Sequence, residues 1–393
     1  MQQTGGMGLR GSTQVHPRVH EPTRALARHG DRARRCFAAL ERCDPPADVL
    51  VEWLAEHPER FELGAAWRAW QRGEEQPGPV RALFESVSPI PAWVDWRRVD
   101  RARRLFERTG AFGGIVLSLR SLMIGYASPA GNKPLAFSGR LREQAPRRVA
   151  ETARFVTAVC APGGMRPGAQ GWLITLHVRL MHAQVRRLLW RSGRWDRGRW
   201  AEPISQHDLL ATMLLFSAVY VEGLRILGFS IDAREADDWV ELWRLIAWVM
   251  GTEPGLLPVG HVEAVRLSEL IYETQGPPDA DSLALAAALL EMPLQIEAVD
   301  RHLASLRRGM VRGLSRMLIG DAAADRLAIA RAPGWERALR LLPVIVGASE
   351  RVRRRIPAVE RELRAAGAGY WAWVVETALG GEPARFARPE RLG

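Results

Sequence analysis

Lysine is almost missing: Lys133 is the one example in 393 residues, although Lys and Arg together number 55. Arginine therefore carries nearly all the positive charge. The formal net charge of +11 raises the question of a nucleic-acid partner. The arginines are interspersed with acids, as in Arg101-Ala102-Arg103-Arg104 ahead of Glu107. A surplus dispersed in this way reads as a solvated face, and no nucleic acid is expected. Cysteine is scarce too. Cys36, Cys43 and Cys160 form no CxxC pair and no CxxCH, which excludes covalent haem attachment and a disulfide framework. An odd number of thiols in a large chain fits a reducing compartment. Long apolar runs are lacking, because the two best candidates are broken by Arg120 and Glu222, so no transmembrane segment is expected. The start, Met1 to about Gly30, is polar, Gly-rich and basic with no apolar stretch behind it. It does not read as a secretory signal, and the expectation is a cytoplasmic protein. P-loop, dinucleotide-glycine, HExxH and GxSxG motifs are all missing.

What the chain does have is helical periodicity. Alternating β-branched runs and Asn-Gly or Asp-Gly turns are few, whereas apolar residues recur at helical spacing throughout. The fold class expected is all-α. Residues 1–30 are read as a flexible tail, 31–379 as one helical domain and 380–393 as a loose end. Helices are expected over Thr23–Cys43, Ala47–His57, Phe61–Arg72, Val94–Arg108, Pro146–Cys160, Gly171–Trp190, Gln206–Leu227 and Ala236–Met250. Ala111–Tyr126 is nearly apolar all round, which implies a helix surrounded by protein. Ser128–Leu141 has loop chemistry. Ser205 with Asp208, and Asp232 with Glu235, read as capping boxes. Pro277–Asp281 reads as a linker, and further helices are expected over Ser282–Glu291, Leu294–Leu318, Trp335–Ile345 and Ala358–Thr377. Fifteen tryptophans, Trp239, Trp243 and Trp248 among them, are read as core packing.

Two helices hold unusual residues. In GWLITLHVRLMHAQVRRLLW, a rotation of about 100° per residue puts Val178, His182, Val185 and Leu189 in one narrow stripe. A histidine flanked by apolar side chains costs free energy unless its ring nitrogens find partners. A hydrogen-bonded core residue is one reading, and a metal ligand is the other. His177 points about 140° away from His182, so the two cannot chelate one metal from this helix. In PRRVAETARFVTAVC, Arg148, Glu151, Thr152 and Phe155 share a face. That patch is either a surface ion pair of small worth or a pocket wall holding a cation, a base and a hydroxyl. His207 in a helix first turn is expected exposed, and His16, His20 and His29 are expected in the loose tail.

These segments resemble the latex-clearing protein (rubber oxygenase) family, which includes the wider MpaB-type oxygenases. The resemblance runs from Pro91-Ala92-Trp93-Val94-Asp95 through Ser138-Gly139-Arg140-Leu141 and Arg148-Val149-Ala150-Glu151-Thr152. It continues through Val178-Arg179-Leu180-Met181-His182-Ala183 and Ile204-Ser205-Gln206-His207-Asp208-Leu209, over roughly residues 85–260. It implies a globin-like helical core with additional helices and a non-covalent haem b. Its iron would be bound by His182, with Arg148 and Thr152 on the opposite, oxygen-binding side. Rubber-cleaving members carry a lysine just before the threonine, where this chain has Glu151, so a lysine over the iron is not implied here. Those members are also secreted, which this chain's start does not suggest, and polyisoprene itself is not the expected natural substrate.

The resulting expectation is a haem-dependent oxygenase using molecular oxygen on an apolar, unsaturated substrate of isoprenoid or lipid-like type. Arg148, Thr152 and Glu151 would serve the reaction, and Ala111–Tyr126 would line the substrate side. A haem carrier or sensor, using the same His182, is the rival reading. A haem-free helical interaction protein with a basic surface is the third.

Overall fold

The computed structural model describes residues 15–57, 61–137, 145–291 and 301–378, and every element in them is helical. The side chains of 145, 146, 148, 149, 301–303 and 378 are outside that description. So are residues 1–14, the Ser138–Leu141 segment and the tail from Gly380.

The first third of the chain forms α1 (Pro22–His29), α2 (Asp31–Ala38), α3 (Pro45–Glu56), α4 (Leu63–Gln71) and α5 (Gly78–Glu85). The middle holds α6 (Trp96–Val116), a π-helical turn at Leu117–Leu122, α7 (Met123–Tyr126), α8 (Pro129–Phe137), α9 (Ala145–Val159) and α10 (Gln170–Arg191). After it come α11 (Arg197–Trp200), α12 (Gln206–Phe216), α13 (Ala218–Ile226), α14 (Ala233–Val249) and α15 (His261–Glu273). The last part holds α16 (Ala280–Glu291), α17 (Arg301–Ile319), α18 (Asp321–Arg326), α19 (Pro333–Ala338), α20 (Leu342–Arg355) and α21 (Pro357–Ala378).

Several boundaries differ from the expected ones for physical reasons. Thr23–Cys43 is two helices because Gly30 turns at φ 55°, ψ −129°, a conformation that glycine takes without a Cβ penalty. Residues 15–30 are part of the fold, not a loose tail. The Arg18 guanidinium pairs with the Asp208 carboxylate, His16 Nε2 lies 2.9 Å from the Arg197 carbonyl, and His29 Nε2 lies 2.7 Å from Glu273. Ser128–Leu141 contains α8: Pro129 stands at its start and Ser128 Oγ accepts from Gly131 N–H at 3.2 Å, a serviceable N-terminus. Gln206–Leu227 breaks at Ser217 (φ −106°, ψ −86°) into α12 and α13. By length and a mean hydropathy of 1.6 that stretch could cross a membrane, yet 61% of its most apolar window is buried inside the protein. It reads as a core helix pair. Both capping boxes form as expected.

The core gathers around α6. This helix runs on from Val94–Arg108 into Ala111–Val116, bent at Gly110 (φ 41°, ψ −121°), where α21 crosses. A Cβ on Gly367 would fall 1.6 Å from the Glu107 carbonyl oxygen, so the crossing closes backbone to backbone. Rings then run inward from α21: Trp371 stacks on Phe106 (4.6 Å), Phe106 on Trp239 (6.4 Å), and Trp243 on Phe216 (4.6 Å). The tryptophans of α14 are core residues, as expected. Ala111–Tyr126 is not surrounded by protein: Gly113, Val116, Leu119, Ser121, Met123 and Tyr126 are buried, Ala111 is exposed, and the rest is half-buried. The π turn lies within this stretch, and such turns recur at functional sites.

Candidate active site

Helices α9 and α10 pack side by side, joined by a tight loop. A Cβ on Gly164 would fall 2.2 Å from the Ala158 carbonyl oxygen, and one on Gly171 would fall 2.6 Å from it. Only hydrogen fits at either position, so the end of α9 and the start of α10 are held in fixed relation.

The most buried face of α10 lies beside the stripe that carries His182 and shares Leu189 with it. It is the one with Leu176, Arg179, Leu180, Ala183, Arg186 and Leu189. Two arginines on a buried face need partners, and both have them. Arg179 makes a bidentate pair with Asp44, Nε to Oδ2 at 2.6 Å and Nη2 to Oδ1 at 2.7 Å. Its Nη1 donates to Ser86 Oγ and to the Val249 carbonyl. Arg186 Nε donates to Asp48 at 2.8 Å and Nη1 to the Ile204 carbonyl at 2.9 Å. These residues stand three before and four after His182, so α10 is anchored one turn to either side of it. The sequence pattern alone did not single them out.

With that face used for anchoring, Val178, Met181, His182, Val185 and Leu188 are left half-buried. His182 Nδ1 is buried with no hydrogen-bond partner among the described residues. Loss of solvent around the ring, with the Arg186 charge adding to it and Asp44 opposing, pushes the imidazole pKa down to about 4. The ring is therefore neutral at physiological pH, the form in which imidazole binds a metal.

The pH dependence follows. Between pH 6.5 and 4 the unfolded chain takes up a proton that the folded haem-free chain refuses. Stability then falls as pH drops, by about 1.4 kcal/mol per pH unit and about 3 kcal/mol across the window. His207, buried and shifted in the same direction by loss of solvent, adds to the slope. Urea unfolding at pH 7 and pH 5 checks this: haem-free His182→Leu should lose less stability than the haem-free wild type on acidification. Equal losses would show that His182 is not held neutral.

On α9, Glu151 and Thr152 are half-buried, and Phe155 is buried with its ring 6.3 Å from that of Trp243. Glu151 pairs with Arg147, Nε to Oε1 at 3.2 Å, one turn back on the more exposed side of the helix. Arg148 belongs to α9, but its side chain is outside the described residues. The structure thus brings the helices of His182 and of Arg148, Glu151 and Thr152 together, and it gives Glu151 a partner that the sequence reading did not foresee.

His207 is 3% exposed, not exposed as expected. It sits beside the Arg18–Asp208 pair, which holds the Asp208 carboxyl well below the usual range, and Gln206 ties the Cys43 and Gly251 carbonyls together. Among the described residues no group of three or more His, Cys, Asp and Glu converges as a metal cage.

Comparison with known proteins gives this geometry its context. A chain of known structure, latex clearing protein LCP in the closed state, shares the fold with a TM-score of 0.66. It is 22% identical, over 85% of this chain and 91% of that one. The rubber oxygenase of Streptomyces sp. (strain K30) is 23% identical over 344 residues, 86% of this chain and 80% of that protein. The all-α fold with a globin-like core and added helices is thereby in agreement with the sequence expectation. Residues 103–348 match the family described as "ER-bound oxygenase mpaB/B'/Rubber oxygenase, catalytic domain", a longer stretch on the C-terminal side than the 85–260 read from motifs. The match spans well over half of the sequence, and the chain belongs to this oxygenase family.

Proposed function

We propose that the protein is a haem b-dependent oxygenase that acts on an apolar, unsaturated chain of isoprenoid or lipid-like type. The observation that carries this reading is His182: a neutral imidazole in an apolar, half-buried stripe, with a buried nitrogen that no group among the described residues satisfies. The donor set fits haem. A haem brings most of its iron's ligands with it, so the single histidine His182 would be enough to hold it. No CxxCH exists to tether it, so the haem is held non-covalently. When bound, haem supplies the activation of dioxygen.

The chain's own residues supply orientation, electrostatics and access. His182 would hold the haem iron through a ring nitrogen, and the Arg179–Asp44 and Arg186–Asp48 pairs fix the helix that presents it. The Thr152 hydroxyl and the Arg148 guanidinium orient and polarise the oxygen substrate. The Glu151 carboxylate, steadied by Arg147, accepts a proton at Oε. Val178, Met181, Val185 and Leu188, with the half-buried residues of Ala111–Tyr126, keep water out and receive the apolar chain. The relatives named for rubber cleavage support an isoprenoid as substrate class. Three free cysteines support a reducing, cytoplasmic setting.

Oxygen uptake by the haem-loaded protein tests the reading, with squalene as the unsaturated probe and squalane as its saturated counterpart. Uptake with squalene alone is expected. Thr152→Val should keep its haem and lose about one to two decades of rate, the worth of a hydrogen bond to a charged partner, roughly 1.5–3 kcal/mol. A haem-loaded protein that consumes no oxygen with any alkene would be a carrier or sensor instead.

A further inference from the structure

The outward face of α20 carries a feature that the oxygenase reading does not use. Its inward face is pinned to the body of the protein. A Cβ on Gly228, itself at φ 97°, would fall 2.3 Å from the Pro343 carbonyl oxygen, and Val346 is buried. The Glu350 carboxylate, 3% exposed, accepts from Ser230 N–H at 3.1 Å and pairs with Arg353 at 2.9 Å. The helix is therefore fixed in rotation, and what it turns outward is set by the fold.

Outward it shows Leu341, Val344, Ile345 and Val352, with Ile356 at its end, each between 47% and 64% exposed. At about 100° per residue, Leu341, Ile345, Ala348 and Val352 lie within about 60° of one another, an unbroken apolar stripe. Isolated exposed apolar residues are ordinary, but a row of them on one helix marks an interaction surface. Exposed Arg340, Arg351 and Arg355 border the stripe, whereas Arg354 turns back to donate to the Ser230 carbonyl at 3.3 Å. From Arg340 to Ile356 the one acidic residue is Glu350, and it faces inward. The family match stops at residue 348, within this helix.

The charge pattern decides what covers the face. A second copy docking by the same face would set arginines against arginines and bring no carboxylate to meet them. An apolar stripe rimmed by arginine fits an interface that is apolar at depth and anionic at its surface. We propose that the outward face of α20 docks on an anionic lipid surface, with Leu341, Val344, Ile345 and Val352 inserted among the acyl chains and Arg351 and Arg355 at the headgroups. The docking does not rest on the proposed function.

Vesicle flotation of the full chain tests it, using phosphatidylcholine alone and phosphatidylcholine mixed with phosphatidylglycerol. The wild type should float with the mixed vesicles, less so as salt is raised, and stay behind with the neutral ones. The double change Arg351→Gln, Arg355→Gln should cut partitioning about thirtyfold. Val344→Ser with Ile345→Ser and Val352→Ser should abolish it. All positions are exposed, and unchanged far-UV circular dichroism would establish that the variants fold. Wild type that ignores anionic vesicles, or variants that bind like wild type, would overturn the proposal. So would a wild-type dimer that the serine variant converts to monomer, since the face would then belong to a second copy. Haem content is read separately, so either result leaves the assignment of His182 where it stood.

Discussion

Arg179→Met is expected to lower the unfolding free energy by about 3–5 kcal/mol, the usual cost of removing one partner from a buried ion pair. The side chains of Arg179 and Asp44 are 3% and 4% exposed, so the Asp44 carboxylate would be stranded without solvent or counter-charge. The loss reaches beyond one pair. Arg179 also donates to Ser86 Oγ, which follows α5, and to the Val249 carbonyl that ends α14, so it joins four helices at one point. Gly251 shows how tightly the site is filled: a Cβ there would fall 2.5 Å from Asp44 Oδ2 and 2.6 Å from Arg179 Nε. Asp44→Leu should cost a similar amount, and the double variant clearly less than the two singles added. Urea unfolding midpoints for the four proteins measure the coupling. If each single variant unfolds with the wild type, the pair does not anchor α10.

The second large effect is at His182, and its sign differs between the haem-free and haem-bound protein. Without haem, the buried Nδ1 has no partner, and an unsatisfied buried polar group costs about 1–3 kcal/mol. Haem-free His182→Leu should therefore be at least as stable as the haem-free wild type at pH 7, an unusual result for a large change inside a fold. With haem, His182→Ala should lose affinity by more than the roughly 10–100-fold that removing an orienting partner costs, because the side chain that would hold the haem is gone. Added imidazole should restore part of the binding to the alanine variant, since the space and the pocket remain. A destabilised haem-free leucine variant would mean that His182 is an ordinary core residue whose contacts matter to folding.

Much of the fold was legible because helix signals are local. The capping boxes at Ser205 and Asp232 lie within four residues, and the periodicity of α9, α10 and α14 lies within a few turns. What failed was whatever depends on distant partners. The Asp44–Arg179 pair joins residues 135 positions apart, and an arginine on a helix reads as solvated until its partner is known. His207 looked exposed in a first turn, yet Arg18, far away in the chain, closes over that end of α12. α15 starts at His261 behind Gly260, which offers no side-chain cap, so no capping signal announced it. The bend at Gly110 was invisible for a related reason, since glycine there is required by Gly367 of α21. At the site, the stripe with His182 was visible from spacing alone. Its half-burial was not, because it follows from the arginine pairs that hold the neighbouring face of α10 one turn to either side of His182.

The absorption spectrum of the purified chain, expressed with haem supplied, tests the central claim most directly. The account predicts a Soret band, one haem b per chain by pyridine haemochrome, full extraction into acid acetone, and no bound haem in His182→Ala. A wild-type protein without a Soret band, or an alanine variant with full haem occupancy, would contradict it.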